Sequence, residues 1–203
     1  MHSADIVMVS VDFAQIEALQ ASGRWDEAGR RLAQEARALE RAGADLIVLC
    51  TNTMHKVASD IESAVSVPLL HLADATARKV SDAGSRTIGL LGTAFTMEQD
   101  FYRQRLERHG LEVLVPEPAG RADVHRVIYD ELCHGVIREE SRTRYLEVVA
   151  DLIQAGAQGI ILGCTEIELL LDPDHTPEVD VPLFPTSRIH ALAAVDAALA
   201  GSA

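Results

Sequence analysis

Aromatic side chains are scarce: they make up 4% of the 203 residues, with a single tryptophan, Trp25, so aliphatic groups have to fill the interior. Alanine, leucine, isoleucine and valine are abundant instead, which suits helices packed on sheets. Cysteines number three, Cys50, Cys133 and Cys164, an odd count with no Cys-x-x-Cys pair. That excludes a disulfide framework and a structural zinc site, and it fits a reducing cytoplasm. Basic residues are in deficit, 18 against 31 acidic, for a net charge of −13. No surplus of Lys and Arg exists to neutralise phosphates, so nucleic acid and anionic membrane surfaces are excluded as partners. No apolar run approaches the roughly 18 residues that a membrane span needs. The opening Met-His-Ser-Ala-Asp-Ile-Val has no basic and then apolar leader, so no secretory signal is expected. No Gly-x-Gly-x-x-Gly, phosphate loop or Gly-x-Ser-x-Gly motif occurs, and no lysine stands out as a Schiff-base site. His55, His71 and His190 lack metal-ligand spacing and read as structural. Neither a cofactor nor a metal is expected.

What is present is 48% apolar residues, enough for a sizeable core, in alternating strand and helix patterns. Asp5–Ser10 reads as a short strand. Trp25, Ala28, Leu32, Ala36, Leu39 and Ala42 recur at helical steps until Gly43. Strands are expected at Leu46–Cys50, Val67–Leu70, Thr87–Leu91, Leu111–Val115, Gly159–Leu162 and Pro182–Phe184. Helices are expected at Met54–Ser63, Ala73–Ser81, Thr96–His109, Arg121–Cys133, Glu139–Ala155, Glu166–Leu171 and Ser187–Leu199. Strands separated by helices imply an α/β fold with parallel sheets and right-handed crossovers.

The pattern also repeats. Ala42-Gly-Ala-Asp-Leu-Ile-Val-Leu49 aligns with Ala155-Gly-Ala-Gln-Gly-Ile-Ile-Leu162 at an offset of 113, with five identities in eight, and Val67-Pro-Leu69 returns as Val181-Pro-Leu183 at an offset of 114. Two similar lobes follow, each a parallel sheet flanked by helices, with the active site in the cleft between them. The first lobe is expected from residues 1–82 with 186–203, and the second from residues 83–185. The second lobe opens with a strand and helix, Thr87 to His109, for which the first lobe has no counterpart. About 25–30 residues, one βα unit, therefore look absent from the front of the first lobe, and Met1 is expected to be an internal start or a truncation point. Unpaired strand edges there predict lower stability or a homodimer formed through the gap.

Two segments place Cys and Thr just past a buried strand: Cys50-Thr51-Asn52-Thr53-Met54-His55 and Gly163-Cys164-Thr165-Glu166. A strand end that opens into a helix supplies free backbone N–H groups for a carboxylate, and the same field is expected to lower a thiol's pKa. Two acid/base groups facing each other could take a proton from one face of a carbon and return one to the other. Asn52, Thr53, Thr93 and Thr165 are candidates for binding an α-carboxylate and amino group, or caps of the helices that follow. Glu166 would steer Cys164 or bind an ammonium, or simply complement a helix dipole. Ser10 and Asp12 lie where the first strand would end.

These motifs, with Leu90-Leu-Gly-Thr93 followed by Thr96 and with Ile189-His-Ala191, resemble the aspartate/glutamate racemase family over essentially the whole chain. The branch it looks most like is the broad-specificity or L-aspartate/glutamate-specific one. The resemblance implies cofactor-independent racemisation of a small-molecule amino acid such as aspartate or glutamate, in the cytoplasm. Its usual first motif is Cys-Asn-Thr-x-His, with the catalytic Cys directly before Asn. Here Thr51 precedes Asn52, and the repeat pairs Thr51 with Cys164 and Cys50 with Gly163. Adjacent residues on a strand face opposite ways, so Thr51 takes the catalytic position and Cys50 is expected to be buried filler. The resulting dyad is asymmetric: Cys164 thiolate abstracts the α-proton, and Thr51 or its water protonates the opposite face. Unequal initial rates from the two enantiomers are expected. The family's basic side-chain selector is matched best by Gln20, its Lys before a Gly falls near Cys133-His134-Gly135, and its glycine-rich opening loop has no match. These departures favour a wider or more neutral side-chain preference than aspartate. The rival readings are a related decarboxylase or isomerase needing Cys164 alone, and an amino-acid-binding relative with weakened catalysis.

Overall fold

Two parallel sheets organise the chain, which a computed structural model describes over residues 4–200. Each sheet lies in one of two compact units. The first comprises the chain up to Leu49, Met54–His71 and the chain from Ala193; the second comprises Cys50–Thr53 and Leu72–Leu192. No helix among the described residues is long and apolar enough to cross a membrane.

In the first unit, α1 (Phe13–Ala21) and α2 (Trp25–Arg41) are followed by β1 (Ile47–Val48), a 3₁₀ turn that ends at Val57, α3 (Ala58–Glu62) and β2 (Leu69–Leu70). The periodicity of α2 is realised as a buried stripe of Ala28, Leu32 and Ala36, packed with Ile16, Ile47, Met54 and Ile61. Helix α1 has little apolar periodicity, which is why the sequence did not announce it. It starts because the Asp12 carboxylate accepts the Ala14 N–H at 3.1 Å, the usual N-cap bond.

The expected strand at Asp5–Ser10 does not form. The segment is exposed, with Ile6 at 79% and Met8 at 81% of full accessibility, and it pairs with no strand among the described residues. The second unit runs α4 (Leu72–Asp82), β3 (Thr87–Gly92), α5 (Ala94–Glu98), α6 (Asp100–Glu107), β4 (Glu112–Leu114), α7 (Pro118–Asp130), α8 (Glu139–Gln154), β5 (Ile160–Gly163), β6 (Leu183–Pro185) and the first part of α9 (Thr186–Ala200), as far as Leu192. Its sheet order is β4-β3-β5-β6, all parallel, so among the described residues β4 pairs with β3 alone. Asp5–Ser10 aligns with β4 in the repeat but, unlike β4, has no strand beside it among the described residues.

Where both halves of the repeat exist, they fold alike. Gly43 and Gly156 both take positive φ, 95° and 107°, just after α2 and α8, conformations that glycine adopts without steric penalty. Ile47 N donates to Pro68 O and Ile160 N to Pro182 O, each at 2.9 Å, and the strand pairings Ile47–Leu69 and Ile160–Leu183 match.

The second unit's sheet is covered on both faces, as a parallel sheet requires. Along β5 the side chains alternate: Ile160 and Leu162 join Val127, Tyr145, Val148 and Leu152, whereas Ile161 joins Leu72, Ile88, Tyr102 and Phe184. Three expected helices differ in form: Met54–Ser63 is a 3₁₀ turn as far as Val57 and α-helical only from Ala58 to Glu62. Thr96–His109 is broken at Gln99, whose ψ of 145° is extended, and the segment after Cys164 is a 3₁₀ turn, Thr165–Leu169.

Candidate active site

The candidate site grows from the carboxyl ends of β3 and β5. Their last paired residues are Gly92 and Gly163. A Cβ on Gly163 would lie 2.6 Å from Leu91 O, and one on Gly92 would lie 3.0 Å from Gly163 O, so glycine lets the strand ends close up. Past β3, Thr93 caps α5, with its hydroxyl accepting from Thr96 N at 3.3 Å. Past β5 comes Cys164, still extended at φ −143° and ψ 135°.

The segment Cys50–Thr53 belongs to this same unit and is tied down at two points. Thr53 Oγ1 lies 3.1 Å from Thr93 Oγ1 and 3.2 Å from Thr96 Oγ1, and those two are 3.3 Å apart, closing a buried triangle of hydroxyls. Asn52 Nδ2 donates to Thr186 Oγ1 at 3.0 Å, at the start of α9. Thr51 directly precedes the two anchors and is half-buried. Cys50, expected as buried filler, is exposed, because β1 ends at Val48 and the chain has left the sheet before the cysteine.

Cys164 is half-buried, and its thiol donates to Glu166 Oε2 at 3.0 Å. The Thr165 hydroxyl donates to the same oxygen at 2.7 Å and helps to fix the carboxylate. Burial, and next the negative charge of Glu166, push the thiol's pKa well above its ordinary value. This reverses the lowering expected from a helix start. The turn that follows is five residues of 3₁₀ helix, with little dipole to offer, while the carboxylate is in direct contact. Cys164 therefore rests as a neutral thiol with a proton acceptor already bonded to it.

The structure thus brings Thr53 to Thr93, and Cys164 and Thr165 to Glu166. Gln20 is in the first unit, 3% exposed, with its amide nitrogen 2.9 Å from the sulfur of Met54. Asp12 serves as the cap of α1. His55 and His71 are buried against each other in the first unit, with ring centroids 4.4 Å apart. Among the described residues no group of His, Cys, Asp and Glu is gathered as a metal ion would require. Two hydroxyls had no assigned contact in the sequence reading. Thr96 completes the triangle, and its signal was the Thr-x-x-Thr spacing on a helical turn. Thr186 meets Asn52 across 134 positions, and nothing local marks that contact.

Comparison with known proteins gives a consistent picture. The sequence profile of the Asp/Glu/Hydantoin racemase family matches residues 2–194. The broad specificity amino-acid racemase RacX of Bacillus subtilis is 26% identical over 179 residues, covering 86% of this chain and 74% of that protein. A crystal structure of a candidate Asp/Glu racemase from Yersinia pestis superposes with a TM-score of 0.90 at 54% identity, covering 98% of this chain and 86% of the other. An aspartate racemase homologue from Pyrococcus horikoshii OT3 gives 0.81 at 34% identity, covering 95% and 82%. The chain belongs to the Asp/Glu/hydantoin racemase family.

Proposed function

We propose that the chain interconverts the enantiomers of an amino acid with an acidic or polar side chain, without a cofactor, at the ends of β3 and β5. The observation that carries this reading is the Cys164 thiol donating at 3.0 Å to the Glu166 carboxylate just past the end of β5. A thiol with its pKa raised is a poor base at rest, but it is bonded to a group that can accept its proton. Glu166 takes the thiol proton and becomes a carboxylic acid. The thiolate then removes the proton from Cα and is a thiol again, and the electron pair of the broken C–H bond stays on the substrate. A water held by the Thr51 hydroxyl gives a proton to the opposite face, and the hydroxide left behind is neutralised by the proton on Glu166 through solvent. Protons and charge balance over the cycle.

In this reading, hydroxyls of Thr53, Thr93 and Thr165 and the amide of Asn52 hold the substrate's carboxylate and ammonium. Asn52, Thr53 and Thr93 are already bonded into the unit, so little side-chain freedom is lost on binding. The reading also includes the cytoplasm as compartment, on an odd count of three cysteines with no Cys-x-x-Cys spacing, and a homodimer, which sedimentation at rising concentration would reveal.

Thiol and hydroxyl differ as acid and base, so the two directions are unequal at saturation. Chiral chromatography of reactions started from the L or the D form should give different kcat values, with KM differing in the same ratio, because the equilibrium constant between enantiomers is one. Cys164→Ala should lose at least 10²-fold in kcat in both directions. Equal kcat values, or an active Cys164→Ala, would overturn the asymmetric dyad.

A further inference from the structure

The buried Asn52 amide is half satisfied. Its nitrogen donates to Thr186 Oγ1, but Oδ1 is buried with no hydrogen-bond partner, in a side chain that is 4% exposed. Thr186, fully buried, explains the arrangement. Its hydroxyl donates to the Leu162 carbonyl of β5 at 2.8 Å. A hydroxyl has one proton, so towards Asn52 Thr186 can only accept. The NH₂ end of the amide must face Thr186, whichever way electron density alone would place it, and the oxygen must face away.

We propose that Thr186 is a positioning residue that locks the orientation of Asn52, so that Asn52 Oδ1 is presented as an acceptor for the ammonium group of an amino-acid substrate. The inference rests on the racemase reading of the site. The chemistry is specific: an unpaired buried acceptor costs free energy until a donor arrives, and an ammonium brings three N–H donors. The lock also runs to the strand that carries the thiol, since Leu162 is two residues before Cys164 on β5 and its extension. Asn52 is thereby fixed relative to Cys164 through one hydroxyl and one carbonyl. A ligand without the amino group leaves Oδ1 unpaired and gains nothing from the lock.

The test compares an amino acid with its des-amino analogue, aspartate against succinate, in the full chain. Wild type should bind aspartate roughly tenfold or more tightly than succinate in calorimetry, a measurement that needs no turnover. Thr186→Val should raise the KM for aspartate roughly tenfold, with a smaller change in kcat, and leave inhibition by succinate unchanged. Thr186→Ser keeps the hydroxyl and should restore the wild-type KM. Equal weakening towards aspartate and succinate in Thr186→Val would mark a merely structural residue and overturn the proposal, as would an unchanged KM. Should Thr186→Val fail to fold, wild-type calorimetry still decides, because aspartate binding no tighter than succinate overturns it. Selective aspartate binding in a chain that racemises no acidic or polar amino acid would sink the racemase reading and leave the role of Thr186 standing.

Discussion

At the scale of single residues, the chemistry turns on who holds the proton of Cys164. With Glu166 Oε2 at 3.0 Å, the thiol is kept protonated both by burial and by a like charge that its thiolate would have to face. Glu166→Gln removes that charge but also the proton acceptor. The thiol should therefore ionise at lower pH than in the parent, while kcat falls at every pH. Ultraviolet absorbance of the thiolate against pH, in a background where the exposed Cys50 and Cys133 are changed to Ser, reads the first effect. An inflection that stays put or moves up would contradict the contact. The sequence made Cys164, Thr165 and Glu166 visible as a group, because they sit in one short motif. It does not show the carboxylate turning back onto the sulfur, so the helix start alone points to a lowered thiol pKa where burial and Glu166 raise it. Thr186 was illegible for a related reason: its role depends on a carbonyl 24 positions away and an amide 134 away, and neither leaves a local pattern.

At the scale of elements, the second unit's helices and strands were legible because both periodicities were strong there. Helix α1 leaves no apolar stripe in the sequence because its start depends on one cap, and the apolar run Asp5–Ser10 forms no strand because a strand needs a partner. A buried carboxylate at the end of α7 gives a sharper check on packing. Glu131 is 5% exposed and accepts from Ser141 Oγ of α8 at 2.6 Å and from Arg126 Nη1 at 3.1 Å. The Ser141 hydroxyl, and then Arg126, hold its pKa below the usual carboxylate range. A group depressed in the fold adds stability above its unfolded pKa, and that stability is lost as the pH falls through the folded value. Ser141→Ala should therefore lose about 1–3 kcal/mol at neutral pH. The gap to the parent should narrow on acidification below the ordinary carboxylate range. Urea titrations at neutral and acid pH would show it, and a gap that widens in acid would contradict the pairing.

At the scale of the whole molecule, the duplication is the feature that makes the chain interpretable. The same glycine turn, the same backbone bond to a proline carbonyl and the same strand pairing occur on both sides of the repeat. That regularity pairs Thr51 with Cys164 in the sequence. The net charge of −13 repels polyanions at long range. Every step proposed for the reaction passes through a carbanion at Cα, whatever the side chain beyond it. The most direct test is therefore the fate of the α-hydrogen in deuterium oxide, followed by mass spectrometry across a panel of acidic and polar amino acids. The product enantiomer should carry deuterium at Cα from the first turnover, and Cys164→Ala should incorporate none. Inversion without deuterium, or no incorporation into any amino acid, would contradict the racemase reading.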